Sequence, residues 1–147
     1  MESIRHRRVF VDSSAYLALL DRQDNNHSQA TAVVRWLAAE RFRQITTNVL
    51  VIETHSLLLS RMGLRQASQF LHEIDASNTV IVRARFADEE YAKKIVFRYQ
   101  DKDFSLADAI SFAVMERLGL ARAFAFDRHF AQYGFSVLAP DVHPRNW

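Results

Sequence analysis

Short apolar runs closed by polar residues alternate along this chain with longer segments whose apolar residues recur at helical spacing. Val9-Phe10-Val11, closed by Asp12, Ser13 and Ser14, reads as a buried strand. Ala15 to Leu20 continues as a helix, and residues 21–27 form a polar loop. A second helix, starting at His27 or Ser28, carries Ala30, Val33, Val34, Leu37 and Ala38 on one face. Ile45-Thr46 predicts a very short strand. Thr47 or Asn48 then caps a helix over about 49–61 that Gly63 stops, and another helix covers about 64–75. Thr79-Val80-Ile81-Val82 is a β-branched strand. Phe86 to Tyr99 predicts a helix whose acidic start, Asp88-Glu89-Glu90, suits the positive end of the helix dipole. Ser105 opens a further helix that Gly119 ends. Ala123-Phe124-Ala125-Phe126 is a strand closed by Asp127, residues 128–133 make a helical turn, and Phe135-Ser136-Val137-Leu138 is a last strand. Pro140 and Pro144 fall in a tail.

Strands alternating with helices predict an α/β fold around a mostly parallel sheet. The runs at 9–11 and 123–126 read as its central strands, because they are apolar without alternation and so expect cover on both faces. In such sheets the ligand site lies beyond the carboxyl ends of the strands. Both of these strands end in an aspartate there.

Composition narrows the class. With 147 residues and no internal repeat, low-complexity segment or linker, residues 1–147 are expected to form a single domain. The chain has no Cys, which removes disulfide frameworks, thiol nucleophiles and cysteine-bound zinc or iron–sulfur sites, and suits a cytoplasmic location. No apolar run reaches the length of a membrane helix, and Asp12 interrupts the stretch that a signal peptide would need after the basic start. The net charge is only +2, yet Lys93, Lys94 and Lys102 are the only lysines. The arginine bias suits phosphate recognition and equally suits an ordinary solvated surface.

Four carboxylates stand in apolar settings on four separate segments. Asp12 ends VFVD, Glu53 is the only acid in NVLVIETHSLLLS, Asp108 the only charge in FSLADAISFAVM, and Asp127 ends AFAFD. Carboxylates in such company are seldom buried without a partner or a cation. Each has a plainer role available. Asp12 and Asp127 can cap the helices that follow them, Asp108 completes a capping box with Ser105, and Glu53 can face solvent or pair with an arginine. Capping, however, accounts neither for Glu53 nor for the repeated apolar context. Were the four to converge, their mutual repulsion would call for a hard divalent cation. Mg²⁺ or Mn²⁺ prefers oxygen donors, and such an ion activates water and clamps a phosphoryl oxygen.

In their order, spacing and flanking residues, VFVDSSAYLALL, TNVLVIETHSLL, DFSLADAISFAVM and AFAFDRHF resemble the PIN-domain nucleases of the VapC type, from about residue 9 to 138. The resemblance implies a PIN-like fold, with a parallel sheet of four or five strands flanked by helices. It implies an endoribonuclease, dependent on Mg²⁺ or Mn²⁺, that cuts single-stranded or loop RNA. It assigns Asp12, Glu53, Asp108 and Asp127 as catalytic, metal-binding acids, with Ser13 supporting metal or phosphate. It further implies a toxin paired with an antitoxin protein, and a homodimer. Asp103 lies outside the four-acid set, either as an outer support or as a loop residue before the Ser105 cap. Arg128, beside Asp127, is the first candidate for a phosphate contact with RNA, the competing role being an ion pair within the short helix. Arg5, Arg7 and Arg8 are weaker candidates, because Arg8 lies at the opposite end of its strand from the acids. The six histidines show no repeated ligand spacing and are expected at the surface or at interfaces.

Other classes fit less well. A phosphatase using Asp12 as nucleophile would want a second aspartate two residues on, which Ser14 denies it, and no Gly-rich phosphate loop is present. An RNA-processing nuclease outside a toxin pair, and a non-catalytic RNA-binding module with structural acids, stay open at this point.

Overall fold

The computed structural model describes residues 7–138, so Arg5, His6, His143 and the proline-containing tail lie outside the described residues. The order of elements is β1 (Arg8–Val11), α1 (Ser13–Leu20), α2 (His27–Ala39), β2 (Arg43–Thr47), α3 (Asn48–Met62), α4 (Leu64–Ala76), β3 (Val80–Val82), α5 (Phe86–Arg98), α6 (Leu106–Leu118), β4 (Arg122–Phe124), α7 (His129–Tyr133) and β5 (Ser136–Leu138). The five strands form one parallel sheet in the order β3-β2-β1-β4-β5. From β1 the chain first builds outward to β2 and β3, then returns to lay β4 and β5 on the other side. The strand order therefore reverses between β1 and β4, which is where an open parallel sheet leaves a crevice.

The central strands are where the apolar runs place them. Val9, Phe10, Val11, Ala123 and Phe124 are all fully buried, since helices cover both faces of the sheet. Alternation along β1 divides its side chains between two cores. Phe10 joins Ala92, Ile95, Phe112 and Phe130 of α5, α6 and α7. Val9 and Val11 join Ala15, Val33, Leu37, Phe70 and Ile74 of α1, α2 and α4. The register pairs Phe10 with Ala123 and Val11 with Phe124, and the Asp12 amide then donates to the Phe124 carbonyl at 3.0 Å. Asp12 is thus held to the last rung of the β1–β4 ladder.

Several boundaries differ from the sequence pattern. β1 begins at Arg8 and α1 at Ser13, and β2 spans five residues instead of two. Thr79 falls outside β3. The larger departure is at β4, which stops at Phe124 although Ala125 and Phe126 continue the apolar run. The Phe126 amide leaves the ladder and donates instead to the Ser14 hydroxyl at 3.0 Å. That bond ends the strand early and turns the chain so that Asp127 comes back over the β1–β4 crevice.

Helix ends are fixed as the sequence suggests. Thr47, not Asn48, caps α3 by accepting from the Leu50 amide at 3.2 Å, while the Asn48 side chain accepts from the Ala84 amide beyond β3. Gly119 closes α6 in the left-handed conformation, with φ of 69°, where a Cβ would be strained. A half-buried ion pair links α5 to α6. Arg117 donates Nε and Nη2 to the two oxygens of Asp88, both at 2.9 Å, and Asp88 also accepts from the Arg85 amide. The guanidinium holds the Asp88 carboxyl below its ordinary pKa. Arg117→Ala leaves this little-exposed carboxylate with the Arg85 amide alone, so urea denaturation is expected to show a loss of about 2 kcal/mol. An unchanged midpoint would assign the pair no structural weight.

Candidate active site

Each of the four acids is delivered to the crevice by a different element, three of them through a local backbone motif. Asp12, directly after β1, caps α1: its Oδ2 accepts from the Ser14 amide at 3.2 Å and the Ser14 hydroxyl at 2.6 Å. Asp108 is the third residue of α6 and forms a reciprocal capping box with Ser105, at 3.0 and 3.1 Å. Asp127 closes a short turn after β4 by accepting from the His129 amide at 2.9 Å. Capping and convergence are therefore not rival readings, because the same carboxylates do both. Glu53 comes from the second turn of α3, one residue before Thr54, whose hydroxyl donates to the Leu50 carbonyl and ties it to the helix interior.

The electrostatics report how close these groups are. Asp12 is 2% exposed. Burial pushes its carboxyl well above the ordinary value, and the neighbouring charge of Asp127 adds to the rise against the lowering bonds from Ser14. Glu53 is raised by burial and by the charges of Asp108 and Asp127, while a hydrogen bond from the Ser13 side chain opposes this. Asp108 is raised chiefly by burial and further by Asp127. Asp127 thus acts on each of the other three acids, and Glu53 is also raised by Asp108. No lysine or arginine pairs with any of the four among the described residues. Uncompensated negative charge in a partly desolvated crevice is the condition that a cation relieves.

A histidine belongs to the same cluster. His129 places Nδ1 2.7 Å from Asp108 Oδ2, and one donor atom from each of Asp108, Asp127 and His129 lies within 4.8 Å of the others. Phe104 meets the imidazole edge-on at a centroid distance of 5.7 Å, within an aromatic stack that runs on to Phe112, Phe130 and Tyr133. The expectation of a surface or interface histidine is therefore corrected at this position. The signal was present as Asp-x-His in AFAFDRHF, but the spacing matters only once α6 brings Asp108 alongside.

The remaining candidates sort by position. Ser13 is buried and turned to Glu53. Asp103 is exposed in the loop before Ser105, apart from the cluster. Arg128 is exposed at the start of α7, next to Asp127, with no ion pair among the described residues. Arg7 and Arg8 sit at the other end of β1, where Arg7 pairs with Glu40 and Arg8 donates to the Leu118 carbonyl.

The family model for the PIN domain matches residues 9–136, a span that takes in all four acids. This chain belongs to the PIN-domain family. It is 36% identical over 134 residues to the 23S rRNA-specific endonuclease VapC20 of Mycobacterium tuberculosis, covering 90% of this chain and 99% of that one. It is 23% identical over 141 residues to the ribonuclease VapC1 of Aquifex aeolicus, covering 95% of both. Among solved structures, that of VapC20, described as a sarcin–ricin loop cleaving toxin, superposes with a TM-score of 0.79 at 31% identity, over 86% of this chain and 95% of that one. FitAcB of Neisseria gonorrhoeae, at 14% identity and a TM-score of 0.65, shares the fold. The five-stranded parallel sheet and its flanking helices are the PIN-like fold that the motifs imply, and the chain is an enzyme of the VapC ribonuclease kind within this PIN family.

Proposed function

We propose that this PIN-domain protein is a divalent-metal-dependent endoribonuclease, acting through Asp12, Glu53, Asp108 and Asp127 on a single-stranded or loop segment of RNA. The observation that carries the reading is the convergence of four acids, with no lysine or arginine partner among the described residues, on the crevice where the strand order reverses. Their oxygen donors fit Mg²⁺ or Mn²⁺, and such an ion, when bound, supplies a water of lowered pKa and neutralises charge on a phosphoryl oxygen. The chain's own residues hold the site in order. Ser14 bonds Asp12 and the Phe126 amide at once, so the ends of β1 and β4 cannot drift apart. Ser13 orients Glu53, and the helix caps fix the carboxylates of Asp12 and Asp108. Asp103 serves at most as an outer support.

Further parts of the reading follow from the resemblance to VapC toxins: one domain over residues 1–147, a cytoplasmic location, a homodimer, and neutralisation by an antitoxin encoded beside it. Among the described residues no helix is long and apolar enough to cross a membrane. Loops of 23S rRNA are the first substrates to try, given what the VapC20 relative cuts. The test incubates the purified chain with ribosomal RNA and with loop oligonucleotides, in Mn²⁺ and in EDTA, and maps new ends by primer extension. Discrete cuts that EDTA removes are expected; cuts that persist in EDTA, or no cuts on any RNA, would overturn the proposal. Co-purification with the product of a short adjacent reading frame tests the toxin role separately.

Arg128 supplies a second measurable consequence. Arg128 is exposed and follows Asp127 in the chain, which supports a contact with the RNA backbone at the rim. In cleavage-dead protein, Arg128→Ala is expected to weaken single-stranded RNA binding and to reduce the log–log salt slope by about 0.7, the value of one phosphate contact. A slope equal to that of the parent removes Arg128 from the interface.

A further inference from the structure

Resting on the metal-dependent reading above, we propose that His129 is itself a ligand of the bound ion through Nδ1, so that the centre is a mixed oxygen and nitrogen site that favours Mn²⁺ over Mg²⁺. Neither the four-acid pattern nor the family likeness assigns this histidine a role.

The argument begins with placement. Nδ1 of His129 and Oδ2 of Asp108 face each other at 2.7 Å, and the Asp127 carboxylate completes a group whose donors all lie within 4.8 Å. Donors about 2.0–2.1 Å from a common ion, set at right angles, stand about 3 Å apart, and opposite donors about 4 Å. The 2.7 Å between Nδ1 and Oδ2 is a few tenths of an ångström short of the spacing of adjacent donors in such a shell, so a small widening admits an ion between the two atoms, with the Asp127 carboxylate within reach. The imidazole does not have to travel. Its backbone amide is tied to Asp127, and Phe104 packs against the ring from the side. Phe104 is in turn wedged on Phe112 of α6, the helix that carries Asp108. Ring and carboxylate are therefore set by one packed unit.

Chemistry decides the ion. Mg²⁺ binds oxygen almost exclusively and parts with its waters reluctantly. Imidazole nitrogen is a better donor to first-row transition ions, whose affinities for such sites rise along the series from Mn²⁺. Replacing one oxygen donor by nitrogen leaves the acids to satisfy the hard character of the ion and shifts the balance toward Mn²⁺.

The experiment reads the ion directly, without activity. The full chain is loaded with Mn²⁺ and examined by pulsed electron paramagnetic resonance for nitrogen hyperfine coupling, beside His129→Gln and Asp12→Asn. Nitrogen coupling in the parent that disappears in His129→Gln is expected. Titration should show that His129→Gln loses Mn²⁺ affinity by at least the order of 10–100-fold seen when a ligand's supporting partner is removed, with Mg²⁺ affinity changed far less. Bound Mn²⁺ without nitrogen coupling in the parent, or coupling that survives in His129→Gln, overturns the role of His129 while leaving the acid site intact. Failure of the parent to bind Mn²⁺ at all overturns the metal-dependent reading itself. Because the parent spectrum alone can refute the ligand, the outcome does not depend on how well the variant folds.

Discussion

Asp12→Asn is expected to leave the fold in place and to reduce RNA cleavage by about 10³-fold or more, equivalent to roughly 4 kcal/mol of barrier. The substitution keeps the size of the side chain and removes the charge that a cation needs. It also keeps an acceptor for the Ser14 amide, because asparagine caps a helix as well as aspartate does. Activity and structure are thereby separated at one atom. Circular dichroism and the melting curve report on the fold, and initial rates on a loop RNA report on the chemistry. Cleavage at the parental rate by a purified, folded variant would remove Asp12 from the catalytic set.

A second large effect is expected in stability. Asp12, Glu53 and Asp108 all have carboxyl groups raised above their ordinary values, chiefly by burial. A group with a raised folded pKa binds its proton more tightly in the native state than in the unfolded chain. The native state then holds more protons, and stability falls as pH rises through the folded pKa. The metal-free protein should therefore become more stable on acidification from neutral pH, down to the unfolded carboxylate range near 4. Below that range this gain is complete, and the Asp88–Arg117 pair, whose carboxyl is lowered, begins to lose its contribution. Mn²⁺ at about 100 times its Kd should add about 2.7 kcal/mol at neutral pH by mass action, which for a domain of this size raises Tm by roughly 5–10 °C. Asp12→Asn should melt higher than the parent in EDTA and respond less to Mn²⁺. Superimposable parental curves in EDTA and Mn²⁺ would refute a convergent site.

The parts of this molecule that could be read from its sequence are those whose physics is local. β1 and the first half of the 123–126 run are legible because burial on both faces leaves Val9, Phe10, Val11, Ala123 and Phe124 with no polar alternative. The Ser105–Asp108 box and the Gly119 stop are legible because caps are set within four residues. Asp12 and Asp127 could be placed at one end of the sheet, since both follow central parallel strands. The early end of β4 could not be read, because the bond that causes it joins Phe126 to Ser14 across the crevice. N-terminal residues of β2 were missed for a different reason: Arg43 and Gln44 lie at the rim of the sheet, where polar side chains are tolerated. His129 acquires its meaning from Asp108 on another helix, and no periodicity along the chain encodes that meeting.

The double duty of Asp12 has a consequence for how such a protein changes over generations. A residue used only for chemistry can drift to anything once the chemistry is no longer selected. Asp12 cannot, because the α1 amide still requires an acceptor after activity is gone. Asparagine and serine meet that requirement nearly as well as aspartate, whereas alanine forfeits about 1 kcal/mol. One such replacement thus yields a folded copy that still presents the same surfaces and no longer cuts. A descendant silenced in this way would compete for whatever the active form binds, and its lineage should carry Asn or Ser at this position far more often than Ala.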